Sequence, residues 1–497
     1  MTTSHESVAP VLRLAVASRL LVVTLIVLWR LLFDPYDTSA SLNPPCLGER
    51  SQPSDSIRWP KTSAAIESSV VWDGVFFVRI AECGYEYEQT YAFLPLLPIS
   101  MVLLSKSVFA PLVPMIGYRA VLALSGYVLN NVAFVLAAVF LYRLSILILK
   151  DSGAALRACI LFCFNPASIF YSSVYSESLY ALSSLGGLFY LFSGSNTVAM
   201  LLLALSGAAR SNGAINAGYF CFLAMLQVCD AIIQKKRHKL AVQVVAAGIG
   251  RSLFIFSPFI LFQAYGYWII CQCSSSNELR PWCKGRVPLL YGFLQSHYWG
   301  VGFLRYFQMK QLPNFLLASP VLSLAVCSVV WYTSSLFKVF QFSREGKTFA
   351  SMMHPVGDNQ SSDSPSQLNY SMSSETVEGD HRVRRRKKES LDKGSESIQD
   401  PYPRPEASHN FLQGYHSIMV LPFILHLGFM TFTAFFVMHV QVATRFLSAS
   451  PPIYWFASYV LDSPGSISRR ICYFIWFYFI GYILLGSLLF SNFYPFT

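Results

Sequence analysis

Apolar residues run through this chain in long blocks instead of alternating with polar ones. The blocks cover 11–33, about 93–114, 117–149, 154–192, 197–233, 240–270, 314–338, 414–440 and 452–492. A helix needs about 20 apolar residues to cross roughly 30 Å of hydrocarbon, and the longest blocks predict two such helices each. The expected fold is an all-α polytopic membrane protein with about nine to eleven crossings. A membrane β-barrel is excluded, because its strands alternate apolar and polar positions. Block 11–33 is interrupted by Arg13, Arg19 and Arg30. It is long for a signal-peptide core and lacks a clear small-residue cleavage site, so it reads as a retained helix.

The polar gaps divide the chain into an N-terminal membrane region, 1–340, a Ser-rich, charged segment, 341–410, and a C-terminal membrane region, 411–497. Segment 341–410 carries the run Arg382-Val383-Arg384-Arg385-Arg386-Lys387-Lys388 and two glycosylation sequons, at Asn359 and Asn369. Its composition cannot bury a core, which predicts a disordered loop. Lys235, Lys236, Arg237 and Lys239 mark a second basic loop, and basic residues near helix ends gather on the cytoplasmic side. That orientation leaves the sequons unused, as chance matches in a Ser-rich loop. It puts 271–313 and 441–452 on the opposite, luminal face. Loop 34–92 joins them if an odd number of helices lies between 93 and 234.

Composition strengthens the membrane reading. Hydrophobic residues make up 54% of the 497 positions and charged residues only 13%, against roughly 25% charged in soluble domains. Segment 341–410 holds 10 of the 37 Lys and Arg and 11 of the 26 Asp and Glu, so the remainder has 27 basic against 15 acidic groups. No soluble basic domain exists to present that excess to nucleic acid, and none is expected as a partner. Most of the eleven cysteines lie inside apolar blocks. Cys46, Cys83, Cys271, Cys273 and Cys283 lie outside or at block edges, where an oxidising lumen would allow disulfides of undetermined pairing. No CxxC pair supports a metal site.

Three polar, aromatic-rich clusters fall on the face opposite the basic loops. The first is Trp72-Asp73-Gly74, continuing through Arg79, Glu82 and Glu88-Gln89. Asp73 reads either as a base at the membrane surface or as a cap on the next helix, since Asp is a preferred N-cap. The second runs from Gln295 through His297-Tyr298-Trp299 to Arg305-Tyr306. Its aromatics fit an interfacial belt, and Arg305 could hold a phosphate bidentately. The third is His439-Val440-Gln441-Val442-Ala443-Thr444-Arg445. Glu177, Arg210 and Asn212 add polar groups within apolar surroundings, where interhelical contacts explain them as well as function does. An enzyme acting on lipid phosphates and a transporter both fit. A transporter favours broken helices with midplane charges and internal repeats; no repeat is evident, and the polar groups sit at loops.

Taken in order, these clusters resemble the GPI mannosyltransferase 2 (PIG-V) family. The resemblance is carried by Trp72-Asp73-Gly74 with Ala92-Phe93-Leu94-Pro95 and by Phe164-Asn165-Pro166-Ala167-Ser168-Ile169-Phe170 with Ser176-Glu177-Ser178. Arg210-Ser211-Asn212-Gly213, Val301-Gly302-Phe303-Leu304-Arg305-Tyr306 and Gln441-Val442-Ala443-Thr444-Arg445-Phe446 continue it. It runs from about residue 10 to the C-terminus, excluding 341–410.

The resemblance implies a GT-C type glycosyltransferase of the endoplasmic reticulum membrane whose active site is built from luminal loops. Such an enzyme takes mannose from dolichol-phosphate-mannose and adds the second mannose, α1,6-linked, to the GPI anchor precursor. A protein acceptor in place of the glycolipid is the alternative within the same chemistry. No metal or other cofactor is implied beyond the donor. Yeast-like systems of this kind use a small membrane partner subunit. The resemblance makes Asp73 the expected catalytic base. Trp72, Arg79, Glu88, Gln89, Glu177, Arg210, Asn212, His297, Trp299, Arg305, Gln441 and Arg445 are the expected substrate-binding residues, with Arg305 and Arg445 first for the leaving phosphate and Arg79 third.

Overall fold

The computed structural model describes residues 8–36, 46–47, 57–234, 236–272, 280–286, 288–345 and 417–494. The basic run, the sequons and nearly all of the segment expected to be disordered lie outside these residues, as does Cys273. Eighteen α-helices occur among them. They are α1 (Ala9–Leu32), α2 (Pro60–Ser68), α3 (Asp73–Cys83), α4 (Leu96–Lys106), α5 (Val113–Ile116), α6 (Tyr118–Leu149), α7 (Ser152–Cys163), α8 (Ser168–Ser172) and α9 (Glu177–Phe192). The order continues with α10 (Asn196–Ala209), α11 (Ala217–Cys229), α12 (His238–Tyr267), α13 (Leu290–His297), α14 (Leu312–Glu345), α15 (Leu421–Phe436), α16 (Ala443–Phe446), α17 (Pro451–Asp462) and α18 (Ser466–Ser491).

Among the described residues seven helices are long and apolar enough to cross a membrane, and the bent pair Leu96–Lys106 and Ala110–Ile116 makes an eighth if it is one span. The expected nine to eleven is reached only by adding the shorter apolar helices Ser152–Cys163 and Asn196–Ala209. The reason is local. Block 154–192, which reads as two spans, is broken at Asn165-Pro166. Asn165 turns its side chain onto its own backbone: Oδ1 accepts from the Ala167 N–H at 2.7 Å and Nδ2 donates to the Phe162 carbonyl at 2.6 Å. The chain then makes only the 12-residue α7, the five-residue α8 and the 16-residue α9. At 1.5 Å per residue these rise about 18, 8 and 24 Å, less than the roughly 30 Å of hydrocarbon. Shortened helices of this kind let polar ends stop inside the depth covered by longer neighbours.

The block-interrupting Arg19 has a structural task at that break. It is 3% exposed. Its Nη1 donates to the Ser168 carbonyl and the Ser172 hydroxyl, and its Nη2 to the Cys163 carbonyl. The guanidinium thereby satisfies a carbonyl at the C-terminal end of α7 that has no intrahelical partner, and its face lies 3.8 Å from the Phe134 ring centroid. Helix α1 is thus tied to α6, α7 and α8 through one side chain.

Four of the five cysteines placed outside or at the edges of apolar blocks are joined, Cys46 to Cys83 and Cys271 to Cys283. Both bonds lie in the loops expected to be luminal, as an oxidising compartment requires. Peptide mapping without reduction should recover these two pairs, while Cys159 and Cys163, both buried, are alkylated only after denaturation. Free thiol at Cys83 or Cys283 in freshly isolated membranes would contradict that orientation.

Candidate active site

Trp72 and Asp73 form a sharp entry into α3. Trp72 has φ +54°, a conformation that is an outlier for a bulky residue. Two contacts hold it: its indole Nε1 donates to the Phe490 carbonyl at 3.1 Å, and its ring packs against Phe493 at 5.6 Å. The C-terminal end of α18 therefore fixes where Asp73 begins its helix. Asp73 does not cap that helix, since no side-chain capping bond forms there. Instead Oδ2 accepts from Arg445 Nη1 at 2.8 Å, and the Asp73 backbone N–H donates to the Tyr175 hydroxyl at 3.0 Å. The carboxylate is about one-third exposed, at 31%.

Asp73 opens onto a cavity of ≈ 170 Å³ lined also by Tyr175, Glu177, Arg210, Ser211, Tyr291, Gln295, Trp299, His439 and Arg445. These residues come from widely separated parts of the sequence. Charge alternates through the cavity. Arg445 bonds Asp73 and lies 3.7 Å from Glu177, which pairs closely with Arg210. Glu177 is 2% exposed and sits in the first turn of α9, where the helix dipole favours an anion. Burial pulls the Arg445 guanidinium downward, but the Asp73 and Glu177 carboxylates outweigh it and the net shift is upward. The same guanidinium stacks over Phe170 and Tyr175, at 5.2 and 5.6 Å from their centroids. Burial, reinforced by Asp73, pushes the Tyr175 phenol well up, so it remains protonated.

Arg210 reaches Glu177 because the chain folds back tightly after α10. A Cβ on Gly213 would lie 2.1 Å from the Ser206 carbonyl oxygen and 2.4 Å from the Gly207 nitrogen. Both are backbone atoms that cannot turn aside. Gly213→Ala should therefore cost at least the roughly 1–3 kcal/mol of overpacking and displace Arg210. Its check is the thermal midpoint of the purified variant together with its transfer activity.

Other expected site residues stand around this cavity and do not line it. Arg79 pairs with Glu86, Nε and Nη2 donating to Oε2 at 2.9 and 2.7 Å. Trp72 braces the backbone as described. Glu88 accepts from Trp282 Nε1 at 2.7 Å and from the Tyr298 hydroxyl at 2.9 Å, so it anchors the C-terminal end of α13, which carries Gln295, and the turn with Trp299. Gln89 is partly buried beside it, in the turn Glu88–Ala92. Asn212 is buried behind Arg210. His297 is exposed and stacks on Phe293. Arg305 is exposed in the turn after Gly302. Gln441 accepts from the Tyr306 hydroxyl, which also accepts from Asn314 Nδ2 at 2.8 Å, and so props the loop bearing His439 and Arg445.

Tyr291 carries no pattern that marks it in the sequence, whereas Gln295, Ser211 and His439 fall inside the clusters without an expected role; the Ser211 and Tyr291 hydroxyls meet at 2.8 Å across 80 positions. His439 stacks on Tyr306 at 4.6 Å. Burial holds its imidazole below the ordinary histidine value, partly offset by a hydrogen bond to the Trp299 backbone. It is therefore neutral near pH 7. Among the described residues one group has metal-ligand spacing, Cys46, Glu82 and Cys83. Its two sulfurs are joined to each other and Glu82 pairs with Arg119, so it offers no ligand set.

The mannosyltransferase (PIG-V) family pattern matches residues 7–497. Relatives named GPI alpha-1,6-mannosyltransferase 2 include the rat protein, 29% identical with 98% of each chain covered, and the human protein, 29% identical with 86% of this chain and 87% of the human one covered. The Drosophila melanogaster GPI mannosyltransferase 2 is 28% identical with 86% of each covered. No solved structure matches. The protein is a hexosyltransferase of the endoplasmic reticulum membrane with a luminal site. Cavity, broken helices and disulfide-bearing loops thus belong to one enzyme scaffold, and the chain is a member of the PIG-V mannosyltransferase family.

Proposed function

We propose that this enzyme transfers mannose from dolichol-phosphate-mannose to the one-mannose GPI precursor, forming the α1,6 linkage of the second mannose. The observation that carries the reading is the Asp73–Arg445 pair at the cavity, a proton acceptor held 2.8 Å from a phosphate-type ligand. The donor is β-linked and the product α-linked, so the anomeric centre inverts in one displacement. The acceptor hydroxyl attacks C1 as the C1–O bond to phosphate breaks. The bonding pair leaves on dolichyl phosphate, and Asp73 takes the hydroxyl proton as general base. Arg445 stabilises the charge growing on the phosphate, an effect that is large where water is scarce. Arg445 is favoured over Arg305 and Arg79 because it lines the cavity, whereas Arg305 lies exposed in a turn and Arg79 is engaged by Glu86.

The donor and acceptor lipids and the surrounding bilayer are the partners this reading requires. Its test uses microsomes from cells lacking the second GPI mannosyltransferase, supplied with this protein, labelled dolichol-phosphate-mannose and the one-mannose precursor. A two-mannose product whose new residue is released by an α1,6-specific mannosidase is expected. Labelled protein in place of labelled glycolipid would overturn the acceptor assignment.

A further inference from the structure

A second cavity lies on the flank of the molecule, between α1, α2 and the N-terminal half of α6. It measures ≈ 800 Å³, and its wall is largely apolar. Its α1 side runs from Leu31 to Val16, about 22 Å along the helix; its α6 side runs from Leu124 to Leu136, about 18 Å. One leaflet's share of the hydrocarbon is roughly 15 Å, so the cleft reaches from the luminal end of α1 to just past the membrane centre. Several wall residues are open, including Leu20 at 63% and Val132 at 54%. A flat lipid-facing surface would be unremarkable in a membrane protein. This one is concave and is lined by α2 residues on the luminal side.

Charge identifies the occupant. Among the described residues two arginines line the cleft and no carboxylate does. Arg19, at the deep end, is fully engaged by the α7–α8 break. Arg30, at the luminal end, is half-buried and makes a single hydrogen bond among the described residues, Nη1 to the Ser491 carbonyl at 3.3 Å. Its other donors make no bond among the described residues and lie at the depth of lipid phosphates, where an anion can meet them. The donor phosphate is assigned to the other cavity, where Arg445 lies, and the two cavities share no lining residue among those described.

We propose that this cleft is a binding site for a resident phospholipid of the luminal leaflet, one chain lying between α1 and α6 and the phosphate at Arg30. Ser68 and Ser69 line the cleft, and Trp72-Asp73 follow within five residues, so the lipid braces the segment that leads into the active site. The assignment does not depend on which sugar acceptor the enzyme uses.

Native mass spectrometry of the full-length protein, delipidated in detergent and titrated with dioleoyl phosphatidylglycerol, tests it. One lipid should be retained, and dioleoylglycerol, with the same chains and no phosphate, should not. Arg30→Gln should weaken retention roughly tenfold or more, as expected for a charge-assisted bond. Val132→Trp, which fills the cleft from its open wall, should abolish retention; Leu20→Trp serves if that variant fails to fold. Retention unchanged in both cleft-filling variants would overturn the site. Equal binding of dioleoylglycerol, or no effect of Arg30→Gln, would overturn the phosphate assignment. Displacement of the phospholipid by a polyprenyl phosphate of similar affinity would overturn the choice of occupant.

Discussion

Asp73→Asn should lower mannosyl transfer by about 10²–10⁴-fold, the range removed with a general base, while the protein accumulates and melts like the wild type. Asparagine keeps the shape of aspartate but cannot take the acceptor proton. The structural cost is small for two reasons. The carboxylate is 31% exposed, and Arg445 retains Glu177 at 3.7 Å when its Asp73 partner loses charge. Asp73→Glu should recover only part of the activity, because a base must lie within roughly 2.6–3.2 Å of its proton and the longer chain shifts the oxygens. The measurement is the rate of labelled-mannose incorporation into the one-mannose precursor at matched protein level. Undiminished product from Asp73→Asn would remove Asp73 as the base and turn attention to the neutral His439 in the same cavity.

In the proposed reaction Arg445 couples the two halves of that chemistry. Without substrate its guanidinium donates to Asp73 Oδ2 at 2.8 Å. In that reaction a donor phosphate arriving at Arg445 competes with Asp73 for the same donors. Lysine is a poor replacement here. It cannot stack over Phe170 and Tyr175 as a plane, and it cannot present two parallel donors.

Much of the scaffold was legible because hydrophobic block length is a direct physical requirement of the bilayer. Blocks 117–149 and 240–270 became α6 and the span His238–Gln272 with ends shifted by at most two residues. The reading weakened where a polar side chain competed with the helix. Asn165 split 154–192 by bonding its own backbone, and a count of apolar residues does not register that. Within the site, Asp73, Glu177, Arg210, Trp299 and Arg445 were visible as charged or aromatic groups at odds with their surroundings, and they meet in one cavity. Tyr291 was not, because a tyrosine near an interface is ordinary, and Gln295 stood in a cluster without an expected role; only tertiary contact gives either its meaning. Arg79 and Glu88 were visible for the right physical reason, yet their nearest partners are Glu86 and the loop aromatics. Charge beside a membrane marks a residue that needs a partner, and the partner can be protein as readily as substrate.

That distinction separates the two carboxylates of the cavity. Glu177 is 2% exposed and lies between Arg210 and Arg445. Glu177→Ala should destabilise the fold by about 3–5 kcal/mol, the usual cost of stranding one member of a buried ion pair. Arg210 is only 17% exposed and, among the described residues, Glu177 is its one ion-pair partner. Removing both charges together should be much milder, because no uncompensated ion remains. Glu177→Gln combined with Arg210→Met should therefore recover a large part of what Glu177→Gln alone loses, giving a coupling energy of the sign expected for residues in contact. Thermal unfolding of the detergent-purified variants reads this directly. Asp73→Asn is expected to lose activity with its melting transition intact, whereas Glu177→Ala is expected to lose the transition first. If both variants melted normally and both were inactive, Glu177 would belong to the reaction and not to its support, with Arg210 held in place for substrate. The burial of Glu177 beneath the two guanidinium groups argues for the first outcome: a group closed off by its own ion pairs is positioned to hold them, and the open Asp73 is positioned to meet a hydroxyl.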